Sequence, residues 1–217
     1  MPLKLIVANK AYSSWSQRAW MLLAHFKIPF EETVIPLDLP ETHAKILKLS
    51  PSGKVPALID GAITVWESLA IIEYLAETHP EKAIWPRGKA ARAHARSLAA
   101  EMHAGFMALR QACPANYVRP VRKMAISPAV EADVARIVAA WSEARKSFGK
   151  AGPFLYGRFS AADAMFAPVV NRFHTYDIAV PKTARDYMAA MRALPAWKAW
   201  VADGEAEEWR IEKYDAI

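Results

Sequence analysis

The sequence has very little cysteine and no long uncharged apolar run. A single cysteine, Cys113, occurs among 217 residues, which excludes an intrachain disulfide, a Cys-x-x-Cys redox pair and a cysteine-based zinc site. Charged residues interrupt every window of about 18 residues, the length that a transmembrane helix requires. The apolar run within the first ten residues is too short for a signal peptide. We therefore expect a cytoplasmic protein without a membrane partner.

The sequence also lacks metal-binding and nucleic-acid signatures. Its six histidines form no His-Glu-x-x-His or His-x-x-x-His pair, so no metal site is expected. The net charge of +6 arises after residue 80, because the first 80 residues carry 7 basic and 8 acidic groups. The densest basic stretches, residues 82–96 and 119–123, contain prolines and match no recognised nucleic-acid motif. We expect no nucleic-acid partner.

The hydropathy pattern of the first 80 residues alternates between strands and helices. The predicted order is strand, helix, strand, helix, two strands joined by a turn at Asp60-Gly61, and a final helix, over residues 3–8, 12–26, 30–37, 41–49, 55–59, 63–66 and 68–77. The periods of two and 3.6 residues distinguish these elements. This order predicts a small mixed sheet with helices packed against it.

The remainder of the chain shows only helical spacing. Residues 79–88, with Pro80 and Pro86, interrupt the pattern and suggest a domain boundary. The Ala-rich stretches that follow predict one long helix and four further helices, over residues 90–113, 128–148, 161–173, 183–192 and 195–203. We expect an α/β domain in residues 1–80, a linker in 81–89 and an all-α helical bundle in 90–217.

Three polar segments stand at the starts of predicted elements. The first reads Tyr-Ser-Ser-Trp-Ser-Gln-Arg over residues 12–18, where a hydroxyl either caps the helix or helps its N-terminus to hold an anion. The second, Gly-Lys-Val-Pro, ends at Pro56; this proline either protects a sheet edge or leaves the backbone of Val55 free to pair with an extended ligand. The third, Glu67-Ser68, places a carboxylate and a hydroxyl at another helix start, where capping is the simple reading.

Together these segments resemble the glutathione transferase superfamily over the whole chain. The turn at residues 13–18 is similar to the zeta and tau classes, and residues 157–163 look like the family's capping box, in which Ser160 and Asp163 cap each other. The resemblance implies a thioredoxin-like N-terminal domain, a helical C-terminal domain and glutathione as co-substrate. It also implies a homodimer with a role in detoxification.

The resemblance assigns the sulfur of glutathione to a serine. Ser13 matches the hydroxyl that holds the sulfur, and Ser14 is the reserve candidate. A free thiol has a pKa of about 8.5, and lowering it by two units requires about 2.7 kcal/mol. One hydrogen bond to a charged group contributes roughly 1.5–3 kcal/mol and a helix N-terminus about 0.3–1 kcal/mol more. A serine at this position therefore suffices to activate the thiolate.

The resemblance also assigns the rest of the glutathione site. Pro56 matches the family's cis proline, so the backbone of Val55 would pair with the cysteinyl unit. Glu67 and Ser68 match the pair that receives the γ-glutamyl ammonium and carboxylate. Lys54 matches a residue near the acidic end of the tripeptide, and His43 and Lys45 are weaker candidates for the glycyl carboxylate.

The electrophile is expected between the two domains, and we predict that it is small and hydrophobic. The predicted long helix would form one wall, although methionine and aromatic side chains at helical spacing belong to a protein core more often than to a pocket. His103 fits a structural hydrogen bond better than a catalytic role. The candidate pocket residues are Met102, Phe106 and Tyr117, with Met107 and Trp209 as further possible walls.

Three functions remain open from the sequence. The first is conjugation of a glutathione thiolate to the electrophile. The second is a zeta-like cis-trans isomerisation of the maleylacetoacetate isomerase kind, which the basic second half suits but Trp15 does not, because zeta enzymes have cysteine there. The third is a non-catalytic, transferase-like protein that acts by binding partners.

Overall fold

The computed structural model describes residues 2–217, and its N-terminal part contains a four-stranded mixed sheet. The strand order is β2-β1-β3-β4, with β1 parallel to β2, and with β3 antiparallel to both β1 and β4. The predicted mixed sheet is confirmed, although the second strand ends two residues early and the third begins two residues late. The strands are β1 Leu3–Ala8, β2 Phe30–Ile35, β3 Ala57–Asp60 and β4 Ile63–Trp66.

Three helices pack against this sheet: α1 Ser14–Phe26, α2 Thr42–Leu47 and α3 Ser68–Thr78. Helix α1 is central, because Ser16 to Leu23 are all buried in it. It contacts β1 and α3 on its own side of the molecule, and two helices of the C-terminal part on the other. The position of its N-terminus is therefore set by both halves of the chain.

The C-terminal part is helical, which confirms the predicted fold class. A 3-10 turn, Pro80–Lys82, leads into it. Its last short helix was not predicted from the sequence. The helices are α4 Lys89–Ala104, α5 Met107–Ala112, α6 Pro128–Phe148, α7 Ala161–Thr175, α8 Lys182–Ala193, α9 Pro195–Ala206 and α10 Glu212–Asp215. No helix of residues 2–217 has the length and apolarity needed to cross a membrane.

The prediction of one continuous helix over residues 90–113 is wrong. The chain leaves helical geometry at Gly105, which is extended, and at Phe106, whose φ is 60°. A Cβ atom on Gly105 would lie 2.9 Å from the carbonyl oxygen of Glu101, so glycine permits the close approach at this break. Asp133 Oδ2 then accepts from the N–H of Leu109 at 2.9 Å and satisfies the start of α5.

Helix α7 lies almost wholly inside the C-terminal core, and the predicted capping box is present at its start. Asp163 Oδ2 accepts hydrogen bonds from both the N–H and the hydroxyl of Ser160, each at 2.9 Å. The other carboxylate oxygen accepts from the N–H of Leu155 at 3.1 Å. Burial raises the pKa of Asp163 to about 6.

Candidate functional site

The start of α1 presents two serines to a cavity between the two halves of the chain. Ser13 is the N-cap: its Oγ accepts from the N–H of Ser16 at 3.4 Å and donates to Ser16 Oγ at 2.8 Å. Ser16 Oγ in turn accepts from the N–H of Ala8 at 3.1 Å. Ser14 is partly exposed, and both Ser13 and Ser14 line the cavity. A small chain of hydroxyl groups therefore ends at the cavity wall.

The segment before β3 lies across from these serines. The Val55–Pro56 bond is cis, as the resemblance implies. Val55 stands outside the ladder of β3, and neither its N–H nor its C=O has a backbone hydrogen bond within residues 2–217. Lys54 is exposed beside it, and the ring of His43 lies against Gly53, where a Cβ atom would come within 2.7 Å of it.

The start of α3 holds a strained acidic residue. Glu67 has φ 71°, a conformation that is costly for a residue with a side chain and is often found at functional sites. Its Oε2 lies 3.0 Å from Nε2 of His103, in the last turn of α4. Ser68, the first residue of α3, is fully buried, and its Oγ has no hydrogen-bond partner within residues 2–217.

Trp15 lines two adjoining cavities. The guanidinium carbon of Arg18 lies 4.0 Å from the centre of the Trp15 ring, and that of Arg110 lies 4.5 Å from it. The ring of His103 packs edge-on against the Trp15 ring. The smaller cavity, of about 280 Å³, is lined by Trp15, Lys54, Val55, Pro56, Glu67, His103 and Arg110. The larger, of about 480 Å³, is lined by Tyr12, Ser13, Ser14, Trp15, Leu37, Ile46, Gly53, Lys54, Val55, Met107, Arg110, Gln111, Pro114, Ala115, Arg172 and Tyr214.

Two family models match separate parts of the chain. The model for the N-terminal domain of glutathione S-transferases matches residues 12–78, and the model for the C-terminal domain matches residues 127–203. The chain belongs to the glutathione S-transferase family. Transferase activity with glutathione as co-substrate follows from this membership.

Individual relatives agree with the family models. A probable maleylacetoacetate isomerase from Vibrio cholerae is 28% identical over 208 residues, 90% of this chain and 94% of the relative. A probable maleylacetoacetate isomerase from Caenorhabditis elegans is 36% identical over 97 residues, which is 45% of each chain. A crystal structure of a glutathione transferase homolog from Burkholderia gl BGR1 with bound glutathione has a TM-score of 0.71 at 25% identity, and covers 95% of this chain and 100% of that one.

The structure brings most of the predicted glutathione-site residues of this transferase together. Ser13, Ser14, Lys54 and Val55 line the larger cavity, and Lys54, Val55, Pro56 and Glu67 line the smaller one. His43 lies at their edge against Gly53. Lys45 instead pairs with Glu41 at 3.1 Å on the surface of α2.

Four of the five predicted electrophile residues lie elsewhere, and the fifth, Met107, lines the larger cavity. Met102, Phe106 and Tyr117 are buried in the core, and none of them lines either cavity. The hydroxyl of Tyr117 donates to Oε1 of Gln17. Trp209 is 47% exposed and lines neither cavity. The break at Gly105 explains part of this difference, because it points α5 in a new direction and brings Met107 to the cavity wall.

Sequence reasoning missed several cavity residues of this glutathione transferase. Arg110, Gln111, Arg172 and Tyr214 come from α5, α7 and α10. They share no local motif, because only the folded chain places these helices side by side. Within residues 2–217 no group of three or more His, Cys, Asp or Glu side chains is arranged to hold a metal ion.

Proposed function

We propose that this transferase binds glutathione along the strip from the start of α1 to the start of α3. Three features support this placement. The unpaired backbone of Val55 can form the two hydrogen bonds that an extended peptide offers. The carboxylate of Glu67 can bind an ammonium group, and the N-terminus of α3, which begins at Ser68, can hold a carboxylate. The γ-glutamyl end of glutathione carries both of these groups.

The glutathione sulfur would then lie at the start of α1, as a thiolate that accepts from Ser13. The hydroxyl hydrogens of Ser13 and Ser16 can rotate about their C–O bonds. When the hydrogen of Ser13 turns to the sulfur, the hydroxyl of Ser16 can donate to Ser13 Oγ over the same 2.8 Å. The N–H of Ala8 continues to donate to Ser16 Oγ. Such a chain of hydrogen bonds strengthens the last donor, because each bond polarises the next.

The larger cavity would receive the electrophile beside this thiolate. Its apolar wall includes Met107, Pro114 and Ala115, which suits a small compound with a hydrophobic body. The single observation that carries the proposal is that this cavity adjoins Ser13 and Ser14 on one side and Val55 on another. A thiolate held there lies within reach of a bound electrophile, and that proximity is the main requirement for its attack.

A second candidate function is glutathione-dependent cis-trans isomerisation. It is favoured by the relative from Vibrio cholerae, named as a probable maleylacetoacetate isomerase, which matches 90% of this chain. Trp15 weighs against it, since zeta enzymes have a cysteine at that place. The two functions differ in their use of glutathione: conjugation consumes it, whereas isomerisation regenerates it at every turnover.

The proposal can be tested on the purified chain in two measurements. Thermal unfolding is followed with glutathione, with S-methylglutathione and with the dipeptide Cys-Gly, which lacks the γ-glutamyl group. A ligand present at 100 times its Kd stabilises the folded state by about 2.7 kcal/mol. We expect a rise in Tm with the first two ligands and none with Cys-Gly. No shift with any of them would contradict the proposed glutathione site.

The second measurement follows glutathione itself during turnover of a chloronitroarene and of a maleyl-type diacid. Loss of glutathione together with appearance of the thioether supports conjugation. Conversion of the diacid at constant glutathione supports isomerisation. Binding of glutathione without either reaction would favour the non-catalytic alternative. A homodimer and a role in detoxification stay predictions of the family resemblance, and a cytoplasmic location stays a prediction from the sequence.

A further inference from the structure

Three arginine side chains lie near the two cavities, and two of them, Arg18 and Arg110, pack against the ring of Trp15. Arg18 comes from α1, Arg110 from α5 and Arg172 from α7. Arg18 is 1% exposed and Arg172 is 4% exposed, while Arg110 is partly exposed. Within residues 2–217 none of the three guanidinium groups forms a salt bridge. This is unusual, because buried charges in proteins are normally paired.

Backbone carbonyl groups satisfy these guanidinium groups only in part. Arg18 Nε donates to the oxygen of Met165 at 3.0 Å, but its Nη1 is buried without a partner. Arg172 donates from Nε to the oxygen of Cys113 at 2.8 Å and from Nη1 to that of Pro168 at 3.3 Å. Carbonyl oxygens accept hydrogen bonds but carry no net charge, so no ion pair neutralises these three guanidinium groups.

Repulsion between these arginines also destabilises their protonated, charged forms. Burial lowers the pKa of Arg18 well below its ordinary value, and the charges of Arg172 and Arg110 lower it further; Glu67 acts in the opposite direction but less strongly. Burial is likewise the largest cause that lowers the pKa of Arg172 and of Arg110. A guanidinium nevertheless stays protonated in proteins. An anion bound beside these groups would therefore gain a favourable interaction with all three charges.

The larger cavity is the place where such an anion can bind. Arg110 and Arg172 both line it, and Lys54 lies on another wall. No aspartate or glutamate of the described chain, residues 2–217, lines this cavity. Lys54 and Arg110 also line the smaller cavity, but there the carboxylate of Glu67 opposes their positive charge. The positive field is thus directed into the space proposed for the electrophile.

We propose that the electrophile of this transferase carries an anionic group, of the carboxylate type, which binds to Arg110 and Arg172. Its apolar body lies against the wall formed by Met107, Pro114 and Ala115. This inference rests on the proposed function and narrows the predicted hydrophobic electrophile to one with an apolar body and a charged end. Arg18, whose guanidinium carbon lies 4.0 Å from the centre of the Trp15 ring, adds a third positive charge nearby.

Two matched electrophiles test the proposal: 4-chloro-3-nitrobenzoate and its neutral amide, 4-chloro-3-nitrobenzamide. In each reaction the thiolate forms a carbon–sulfur bond, the carbon–chlorine bond breaks, and chloride leaves with the electron pair. For each compound, kcat/KM is divided by the rate constant of its uncatalysed reaction with glutathione, and the two ratios are then compared. The wild-type protein should prefer the benzoate by roughly tenfold or more, since a hydrogen bond between charged groups contributes about 1.5–3 kcal/mol.

Arg110→Gln and Arg172→Gln should each reduce that preference at least several-fold, mainly through the benzoate. Arg185→Gln is the matched control, because Arg185 is exposed on α8, lines neither cavity and carries the same charge. Since Arg172 is buried, its variant is used only if its circular dichroism and Tm match those of a folded protein. Arg110, which is partly exposed, provides the test in either case.

A binding measurement keeps the test independent of turnover. The unreactive compounds 3-nitrobenzoate and 3-nitrobenzamide are titrated by thermal shift in the presence of S-methylglutathione. A larger shift with the benzoate, lost in Arg110→Gln and kept in Arg185→Gln, supports the proposal even if neither chloroarene reacts. Equal preference for both compounds in the wild type overturns it. A loss of glutathione affinity in Arg172→Gln, with the charge preference unchanged, would also overturn it and assign the arginines to glutathione.

Absence of any shift with glutathione or S-methylglutathione in the wild type would instead contradict the proposed function. The two failures are therefore distinguishable.

Discussion

Glu67 Oε2 lies 3.0 Å from Nε2 of His103, so the carboxylate at the start of α3 is held by the last turn of α4. The ring of His103 stands edge-on to Trp15, with 5.2 Å between ring centroids. One hydrogen bond and one aromatic contact thus link the helical part of the chain to two residues of the sheet-containing part. The carboxylate proposed to bind glutathione owes its orientation to a helix of the other half.

Removal of this carboxylate should abolish most glutathione binding. In Glu67→Ala the γ-glutamyl ammonium loses a charge-assisted hydrogen bond, which typically contributes about 1.5–3 kcal/mol. We expect the rise in Tm with millimolar glutathione to fall to a small fraction of the wild-type value. Glu73→Ala is the control, since Glu73 is on the same helix but pairs with Arg96 outside both cavities. An unchanged shift in Glu67→Ala would remove Glu67 from the site.

Loss of the Ser13 hydroxyl should raise the pKa of bound glutathione. In Ser13→Ala the thiol pKa should move toward the free value of about 8.5, and turnover at pH 7 should fall by roughly 10–100-fold. Glutathione affinity should change little, because most contacts are assigned to Val55, Glu67 and Ser68. The thiolate absorbance of the bound peptide, titrated against pH, measures the midpoint directly.

The matched variant Ser14→Ala distinguishes the two serines. If Ser13 is the donor, the midpoint in Ser14→Ala stays at the wild-type value. A shift confined to Ser14→Ala would assign the sulfur to Ser14 and leave Ser13 as the cap of α1. A midpoint that moves in neither variant would mean that the backbone N–H groups of the helix start activate the thiol.

Asp163→Ala should destabilise the protein, and more so in acid than at neutral pH. Loss of the cap typically costs about 0.5–2 kcal/mol. Burial raises the folded-state pKa of Asp163 to about 6, above the unfolded value of about 3.9. Between these values the folded state binds the proton more tightly, so the stability that Asp163 contributes falls as pH rises through 6.

Urea unfolding of the wild type and Asp163→Ala at pH 5 and pH 7.5 measures this difference. Asp186→Ala is the control, because Asp186 is exposed and pairs only with Lys182 on the surface of α8. A gap between wild type and Asp163→Ala that grows with pH would show that the sign is wrong. Loss of turnover without loss of stability would give Asp163 a role beyond the cap.

Analytical ultracentrifugation of the transferase at micromolar concentration should give a molecular mass twice that of one chain. Strand β4 is an edge of the sheet, and two of its residues, Ile63 and Trp66, are 51% and 43% exposed. Large apolar side chains on an exposed edge are typical of protein interfaces. Trp66→Glu should shift the protein toward monomer, whereas Val121→Glu, at a similarly exposed valine, should not. A wild-type monomer throughout the range would contradict the predicted homodimer.

Local sequence was sufficient to predict the elements and motifs that depend on neighbouring residues. The hairpin at Asp60-Gly61 and the capping box of Ser160 and Asp163 are formed within a few residues of chain. The same is true of the start of α1, which was predicted at residue 12 and lies at Ser14. Hydropathy period and capping depend only on residues a few positions apart, so both can be recognised in a single sequence. The family resemblance followed from motifs of this local kind.

The walls of the electrophile cavity depended on tertiary structure. Arg110 and Arg172 lie on different helices, and only the fold brings both to one cavity beside Trp15. The break at Gly105 was hidden by continuous helical spacing, because nothing in that period marks a left-handed residue such as Phe106. Periodicity shows which side of a helix is buried, but it does not show whether an apolar side chain on that side lies in the core or lines a cavity. Contacts between distant segments decide which of the two it becomes.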